Sequence, residues 1–175
     1  VSMALQLPWR IHDNGTTPAP EDAPLATKDQ IRAGWQDLKV HSKHMSRLHW
    51  KYAARRNVLR LSEADVDQLV KKRLFQFERY LEAHHFPNWR DFPADAQLAI
   101  CSMSWACGPV FPATFKNFTR FARKKDWKNA ALCAKIRETG NPGIVPRNRH
   151  NLLCFRNAEI VATNGMDLDT LHWPN

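Results

Sequence analysis

The sequence predicts a mainly α protein. Apolar residues recur at helical spacing in several segments, and no segment shows the alternation of a convincing strand. The helical segments follow cap residues and stop at glycine or proline, as helices do. A chain of 175 residues can form one compact domain, or two small lobes that share a helix.

Capping patterns predict the first two helices. Thr27 with Gln30 three residues later predicts a helix over about 28–40, and Ser62 with Asp65 predicts a long helix over about 63–84. The second helix carries an apolar stripe, Val66, Leu69, Val70, Phe77 and Leu81. Residues 1–26 are proline-rich and are expected to form an irregular arm or linker, which Trp9 could anchor.

The second half of the chain predicts four more helices. "ADAQLAICSMSWACG" (94–108) is almost entirely apolar, which indicates a buried central helix that stops at Gly108 and Pro109. "ATFKNFTRFARKKDWKNAALCAKIR" (113–137) predicts two helices that meet near 124–127. "GNPGIVPRNRHNLLCF" (140–155) predicts a kinked, basic approach to a last helix over about 146–163.

The net charge of +9 favours anionic partners: nucleic acid, acidic membrane surfaces or the bacterial cell wall. The simpler interpretation is solubility. The basic residues follow the whole chain rather than forming a separate nucleic-acid arm, so no nucleic-acid partner is expected. We expect no membrane span and no signal peptide, hence synthesis in the cytoplasm.

The metal-binding residue types do not predict a metal site. The four cysteines, Cys101, Cys107, Cys133 and Cys154, include no C-x-x-C pair. They are interpreted as buried free thiols, with a Cys133–Cys154 bridge as the alternative in an oxidising compartment. Histidines 41, 44 and 49 lack a nearby carboxylate or thiol set and are interpreted as a solvated basic patch, so neither metal nor cofactor is expected.

Four segments in order resemble the helical lobe of the T-even phage type lysozymes, glycoside hydrolase family 24. They are "LRLSEADVDQLVKKRLFQFERYL", "DAQLAICSMSWACG", "FPATFKNFTRFARKKDWKNAA" and "PGIVPRNRHNLLCF", and together they fall within 59–158. The resemblance implies a lysozyme-like helical lobe over 62–163, a divergent N-terminal lobe over 27–61, an arm over 1–26 and a tail over 164–175. The family's Glu-Gly motif and the hairpin after it are missing here, so its catalytic residues cannot simply be transferred.

The resemblance also implies binding residues. The family's arginine before the last helix pairs with the catalytic glutamate, and Arg147 matches it; the simpler interpretation is a surface arginine at a helix start. Trp105, Ser102 and Asn117 match the wall of the helical lobe, where they would stack on sugar rings and bind the peptide stem. Trp105 could equally belong to the core. Glu138 is a further candidate to line the cleft of Arg147.

Glycoside hydrolysis needs a carboxylic acid with a raised pKa and a second carboxylate or a positioned water. Asp37 lies roughly where the family keeps its glutamate, although it could be a surface aspartate beside Lys39. Glu78, with Glu82 one turn later, is the second candidate, because two close carboxylates raise one pKa. The alternative for Glu78 is structural, and Glu63 simply complements the helix dipole.

These observations predict a muramidase that hydrolyses peptidoglycan glycan strands by carboxylate acid catalysis. We expect a monomeric antibacterial effector or endolysin domain that acts in the periplasm or on the wall after delivery by a secretion system or phage release. An effector of this kind implies an immunity protein as a second partner. The alternatives are a non-catalytic peptidoglycan-binding module on the same fold and, on charge alone, a helical nucleic-acid binder.

Overall fold

The computed structural model of the chain describes residues 4–12, 17–41 and 54–174, and it confirms the mainly α fold. Contacts divide the chain into two units, Val1–Lys71 and Lys72–Asn175. The division falls within helix α2 (Glu63–His84), whose first turns belong to one unit and whose later turns belong to the other.

The first unit holds α1 (Lys28–Val40), whose predicted capping box is present. The backbone N–H of Gln30 donates to Thr27 Oγ1 at 3.3 Å, and the N–H of Thr27 donates to Gln30 Oε1 at 2.8 Å. Ser62 caps α2 as predicted, with its Oγ accepting from the Asp65 N–H at 3.1 Å. Both cap predictions are therefore confirmed, and each helix begins where the capping pattern places it.

The expectation of no strand was wrong. β1 (Arg10–Ile11) pairs antiparallel with β2 (Leu59–Arg60), and Arg10 lies opposite Arg60. Two residues per strand are too few to show a period of two, so the sequence carries no signal for this sheet. Its position is held in part by Arg10, whose Nε lies 3.3 Å from Asp65 Oδ2 at the start of α2.

The second unit is a helical bundle. It contains the later part of α2, a 3-10 turn (Trp89–Asp91), α3 (Ala94–Cys107), α4 (Phe111–Thr114), α5 (Lys116–Arg123), α6 (Trp127–Cys133) and α7 (Ile144–Asn164). α3 packs against α7, and α6 packs against α5 and α7. Aromatic rings fill the core: Phe86, Trp89, Phe92, Phe111, Phe118, Trp127 and Phe155 are all almost completely buried.

α3 is the central helix that the sequence predicts. Ala96, Ala99, Ile100 and Met103 are fully buried, and the helix ends at Gly108, whose φ of +82° favours glycine. The predicted junction of two helices near 124–127 is also confirmed, since α5 ends at Arg123 and α6 begins at Trp127. α7 begins slightly earlier than predicted, at Ile144.

The prediction of free thiols is confirmed, since all four cysteines are free and the alternative Cys133–Cys154 bridge is not formed. Two predictions about buried positions need correction. Cys154 is buried, but Cys107 is exposed, because it lies in the last turn of α3, where the helix leaves the core. On α2, Leu81 is buried, whereas Val66 of the same predicted stripe is 42% exposed. Within the described ranges, no helix combines the length and apolar character needed to cross a bilayer.

A fully buried carboxylate, Asp95, joins three parts of the second unit. Its Oδ1 accepts from Asn157 Nδ2 on α7 at 3.0 Å, and its Oδ2 accepts from the backbone N–H of His172 at 2.8 Å. Close by, the N–H of Ala94 donates to the carbonyl oxygen of Leu168 at 2.7 Å. The start of α3 is thereby tied to α7 and to the C-terminal segment.

We expect Asp95→Ala to lower the free energy of unfolding by about 3 kcal/mol, because the buried amide of Asn157 and the backbone N–H of His172 lose their carboxylate acceptor. Denaturant titration followed by circular dichroism measures the change. Asp169→Ala, the same substitution at an exposed position of the C-terminal segment, is the control and should have little effect. Equal stability of the two variants would show that the Asp95 hydrogen bonds are not needed.

Candidate functional site

Arg147 lies in the first turn of α7 and reaches α3. Its Nη1 donates to the carbonyl oxygen of Ser102 at 3.0 Å and to Ser102 Oγ at 2.9 Å. In the described part of the second unit, Arg147 forms no ion pair with a carboxylate. Its guanidinium is therefore positioned by neutral acceptors, and its charge is not neutralised within that unit.

Trp105 extends this surface by one turn of α3. Its side chain is 46% exposed rather than part of the core, and its ring meets the Phe77 ring of α2 edge to face at 6.3 Å. The guanidinium of Arg73 lies over the Phe77 ring, 5.7 Å from its centre. Residues three apart on a helix share a face, so Ser102 and Trp105 lie side by side on α3.

Glu78 is engaged in a structural network. Its Oε1 accepts from Trp89 Nε1 at 3.2 Å and lies 3.5 Å from Arg90 Nη1. Glu82, one turn later, accepts from Arg90 Nε at 3.2 Å, and both carboxylates raise the pKa of Arg90. The expectation that these two close carboxylates raise one pKa took no account of Arg90, whose guanidinium lies within 3.5 Å of both.

Glu138 does not contact Arg147. Its carboxylate accepts from Asn148 Nδ2 at 2.9 Å and pairs with Lys135 Nζ at 3.2 Å, and the hydrogen bond from Asn148 is the main cause of its lowered pKa. It borders a pocket of about 310 Å³ that includes Arg149. Asn117 lies exposed on α5 and makes no hydrogen bond to another predicted site residue among the described residues.

Asp37 lies in the first unit, near the end of α1. Its two carboxylate oxygens accept from Arg56, at 3.1 Å from Nη2 and 3.3 Å from Nε, and His41 Nδ1 lies 3.4 Å away. The hydrogen bond from Arg56 is the main cause of its lowered pKa. The histidine interpreted as part of a basic patch, His41, is thus a partner of Asp37, whereas His44 and His49 lie outside the described residues.

A groove of about 350 Å³ lies beside Asp37. Its lining is mixed, with polar side chains on both walls: Ile11, Gln30, Ala33, Gly34, Asp37, Arg56, Asn57, Val58 and Leu59. Gly34 makes the close approach between the walls feasible, since a Cβ there would lie 2.9 Å from Asn57 Nδ2 and Leu59 Cδ1. The groove combines a carboxylate, a guanidinium and amide groups, which are groups that bind sugar hydroxyls.

The structure brings together three predicted residues, Arg147, Ser102 and Trp105, on one face of the second unit. It separates Glu138 and Asn117 from them. Sequence reasoning missed the partners that define each carboxylate: Arg56 for Asp37, and Trp89 with Arg90 for Glu78. Arg56 follows Asp37 by 19 residues in the sequence, and no local sequence pattern indicates that the two side chains pair.

Comparisons with known proteins give no relative: no family model, no curated protein and no solved structure matches the chain.

The thiols of α3 provide a probe of this face. Burial raises the pKa of Cys101 to about 12, with Glu78 as a second cause, and burial raises the pKa of Cys107 while Arg147 opposes the shift. We expect alkylation by iodoacetamide at pH 8 to modify exposed Cys107 well before Cys101 or Cys154. Peptide mass mapping over time gives the order.

Arg147→Gln should slow the alkylation of Cys107 roughly twofold to fivefold, because it removes the cation that favours the thiolate. Arg156→Gln, on the exposed side of the same helix, is the matched control. An unchanged rate in Arg147→Gln would mean that the guanidinium does not act on this thiol in solution.

Proposed function

We propose that the chain is a peptidoglycan-directed domain of the lysozyme type, which binds and hydrolyses the glycan strands of the bacterial cell wall. The proposal rests on one observation above all: Arg147, Ser102 and Trp105 share a face of the helical unit. This is the arrangement that the family resemblance implies for those three positions. We place its action in the periplasm or on the wall, after delivery by a secretion system or release by a phage.

The chemistry of this face suits an acidic glycan. Trp105 offers an exposed ring, on which the apolar face of a sugar can stack. The guanidinium of Arg147 is held through Nη1, and its remaining N–H groups suit the carboxylates of a peptide stem. Arg73 adds a second cation at the Phe77 ring. The overall charge of +9 favours approach to an anionic wall.

Asp37 suits only one of the two carboxylate roles. A general acid must be protonated at neutral pH, whereas the Arg56 guanidinium lowers the pKa of Asp37 and keeps it ionised. We therefore assign Asp37 the role of the ionised carboxylate that stabilises positive charge on the sugar ring or attacks it. The groove beside it is the place where a sugar would contact it.

The second candidate function is peptidoglycan binding without cleavage. It is favoured by the lowered pKa of Asp37, which does not suit a proton donor, and by the contacts of the Glu78 carboxylate with Trp89 and Arg90, which give that side chain a structural role. A domain of this kind would keep the surface of Arg147 and Trp105 and retain sacculi as its ligand. The two candidates differ in whether soluble products are released.

Incubation of the chain with purified sacculi, followed by mass analysis of the soluble fraction, separates the two candidates. Hydrolysis predicts disaccharide peptides with reducing ends, and Asp37→Asn should lower their release at least about 100-fold. Asp29→Asn, on the same helix and paired with Arg32, is the matched control and should keep full activity. Circular dichroism checks that both variants fold.

Release of anhydro-sugar products would show that the chain cleaves the glycan by internal transglycosylation rather than by hydrolysis. No release from the unmodified chain, with the chain still sedimenting on sacculi, would establish the binding module. Full lytic activity of Asp37→Asn would exclude Asp37 as the ionised catalytic group.

Binding depends on the face of Arg147 in both candidates. We expect Trp105→Ala and Arg147→Lys each to weaken cosedimentation with sacculi about tenfold, because one loses a stacking ring and the other loses the planar guanidinium. Leu132→Ala, at an exposed apolar position, and Arg156→Lys, at an exposed arginine, are the controls. Equal binding by all four variants would place the sugar elsewhere.

A further inference from the structure

A second concave surface of the helical unit carries only positive charge. It has a volume of about 510 Å³ and is called the basic basin here. The residues that line it come from the end of α2 and from the α4–α5 region: His85, Pro112, Ala113, Lys116, Thr119, Arg120, Arg123 and Lys124. Four of the eight are lysine or arginine, and none is acidic.

The acidic residues near this segment are committed elsewhere. Asp126 caps α6 by accepting from the Asn129 N–H at 3.1 Å, and Asp91 pairs with Lys125 at 3.2 Å. Within the described part of the chain, Lys116, Arg120 and Lys124 form no ion pair. Apart from an electrostatic interaction of Lys124 with Asp126, these neighbours do not offset the positive charge of the basic basin.

Helix stability explains only part of this charge. Arg120 and Arg123 lie in the last turn of α5, where cations interact favourably with the helix dipole. Lys116 is the first residue of the same helix, where a cation interacts unfavourably with the dipole and no acidic residue offsets it. An anion bound in the basic basin would offset this charge.

Two side chains of the basic basin, Arg123 and Thr119, are held by hydrogen bonds before any ligand binds. Arg123 Nε donates to the carbonyl oxygen of His85 at 2.7 Å, which holds the guanidinium at the rim. Thr119 is buried in the floor, and its Oγ1 donates to the carbonyl oxygen of Pro112 at 2.8 Å. A cation that is already held, as Arg123 is, loses less conformational entropy on binding than a free one does.

We propose that the basic basin binds the phosphate group of a polyol-phosphate polymer, a site separate from the face of Arg147. Phosphate fits the pair of arginines and the pair of lysines, since guanidinium binds its oxygens in pairs and ammonium as a point charge. Among the residues that line the basin, His85 carries the one aromatic ring, and that ring already contacts the ring of Tyr80 at 5.7 Å, so the lining offers little surface on which a nucleobase could stack. Its apolar lining, Pro112 and Ala113, is too small to enter a bilayer.

The test is titration of the ¹⁵N-labelled chain with glycerol phosphate and with a short poly(glycerol phosphate), followed by NMR. We expect saturable shifts centred on the amides of Lys116, Thr119, Arg120, Arg123 and Lys124. Arg120→Gln combined with Lys124→Gln should weaken polymer binding about tenfold or more, because two charge-assisted contacts are lost. Arg149→Gln combined with Arg156→Gln removes equal charge from α7 and should cause a much smaller loss.

Equal losses in the two double variants, or shifts spread over all basic residues, would overturn the proposal in favour of nonspecific attraction. A single-stranded oligonucleotide of the same charge that binds more tightly at these amides would overturn it in favour of a nucleic acid. Vesicles of phosphatidylglycerol that bind while the soluble polymer does not would overturn it in favour of a membrane surface. The readout does not involve glycan cleavage, so failure here leaves the proposed function untouched.

Discussion

The buried carboxylate of Asp95 is the interaction on which the helical unit depends. α3 begins after Pro93, which has no side chain that can cap the helix, and Asp95 occupies its first turn. A carboxylate is favourable there, because the N-terminus of a helix carries partial positive charge. Asn157 and the backbone N–H of His172 donate hydrogen bonds to this carboxylate, which offsets the cost of burying it. The same two bonds connect the start of α3 with α7 and with the C-terminal segment.

This constraint fixes the position of the candidate binding face. Because the start of α3 is held against α7, the later turns of α3 and the first turn of α7 come together in a defined way. Arg147 can then donate hydrogen bonds to Ser102, and Trp105 lies on the same face of α3 with its side chain exposed. The apolar packing of Ala96, Ala99, Ile100 and Met103 supplies the burial that keeps the two helices in contact.

Local signals in the sequence were enough for the helices. The caps at Thr27 and Ser62 and the stop at Gly108 each depend on residues three or fewer positions apart, and all three were predicted correctly. The sheet of Arg10 with Arg60, the ion pair of Asp37 with Arg56 and the pairing of Asp95 with Asn157 depend on residues 19 to 62 positions apart. Such pairings follow from tertiary packing, which one sequence does not display, and they decide the chemistry of each carboxylate.

The Asp95 network also bears on how this chain can change over evolution. Apolar core positions tolerate exchange among residues of similar volume, so the helical segments can drift until little identity remains. The carboxylate and the amide of Asn157 do not drift independently, because a change at either one removes the buried hydrogen bond between them. Remote relatives of this chain should therefore be recognised less by their apolar motifs than by correlated replacement at positions 95 and 157.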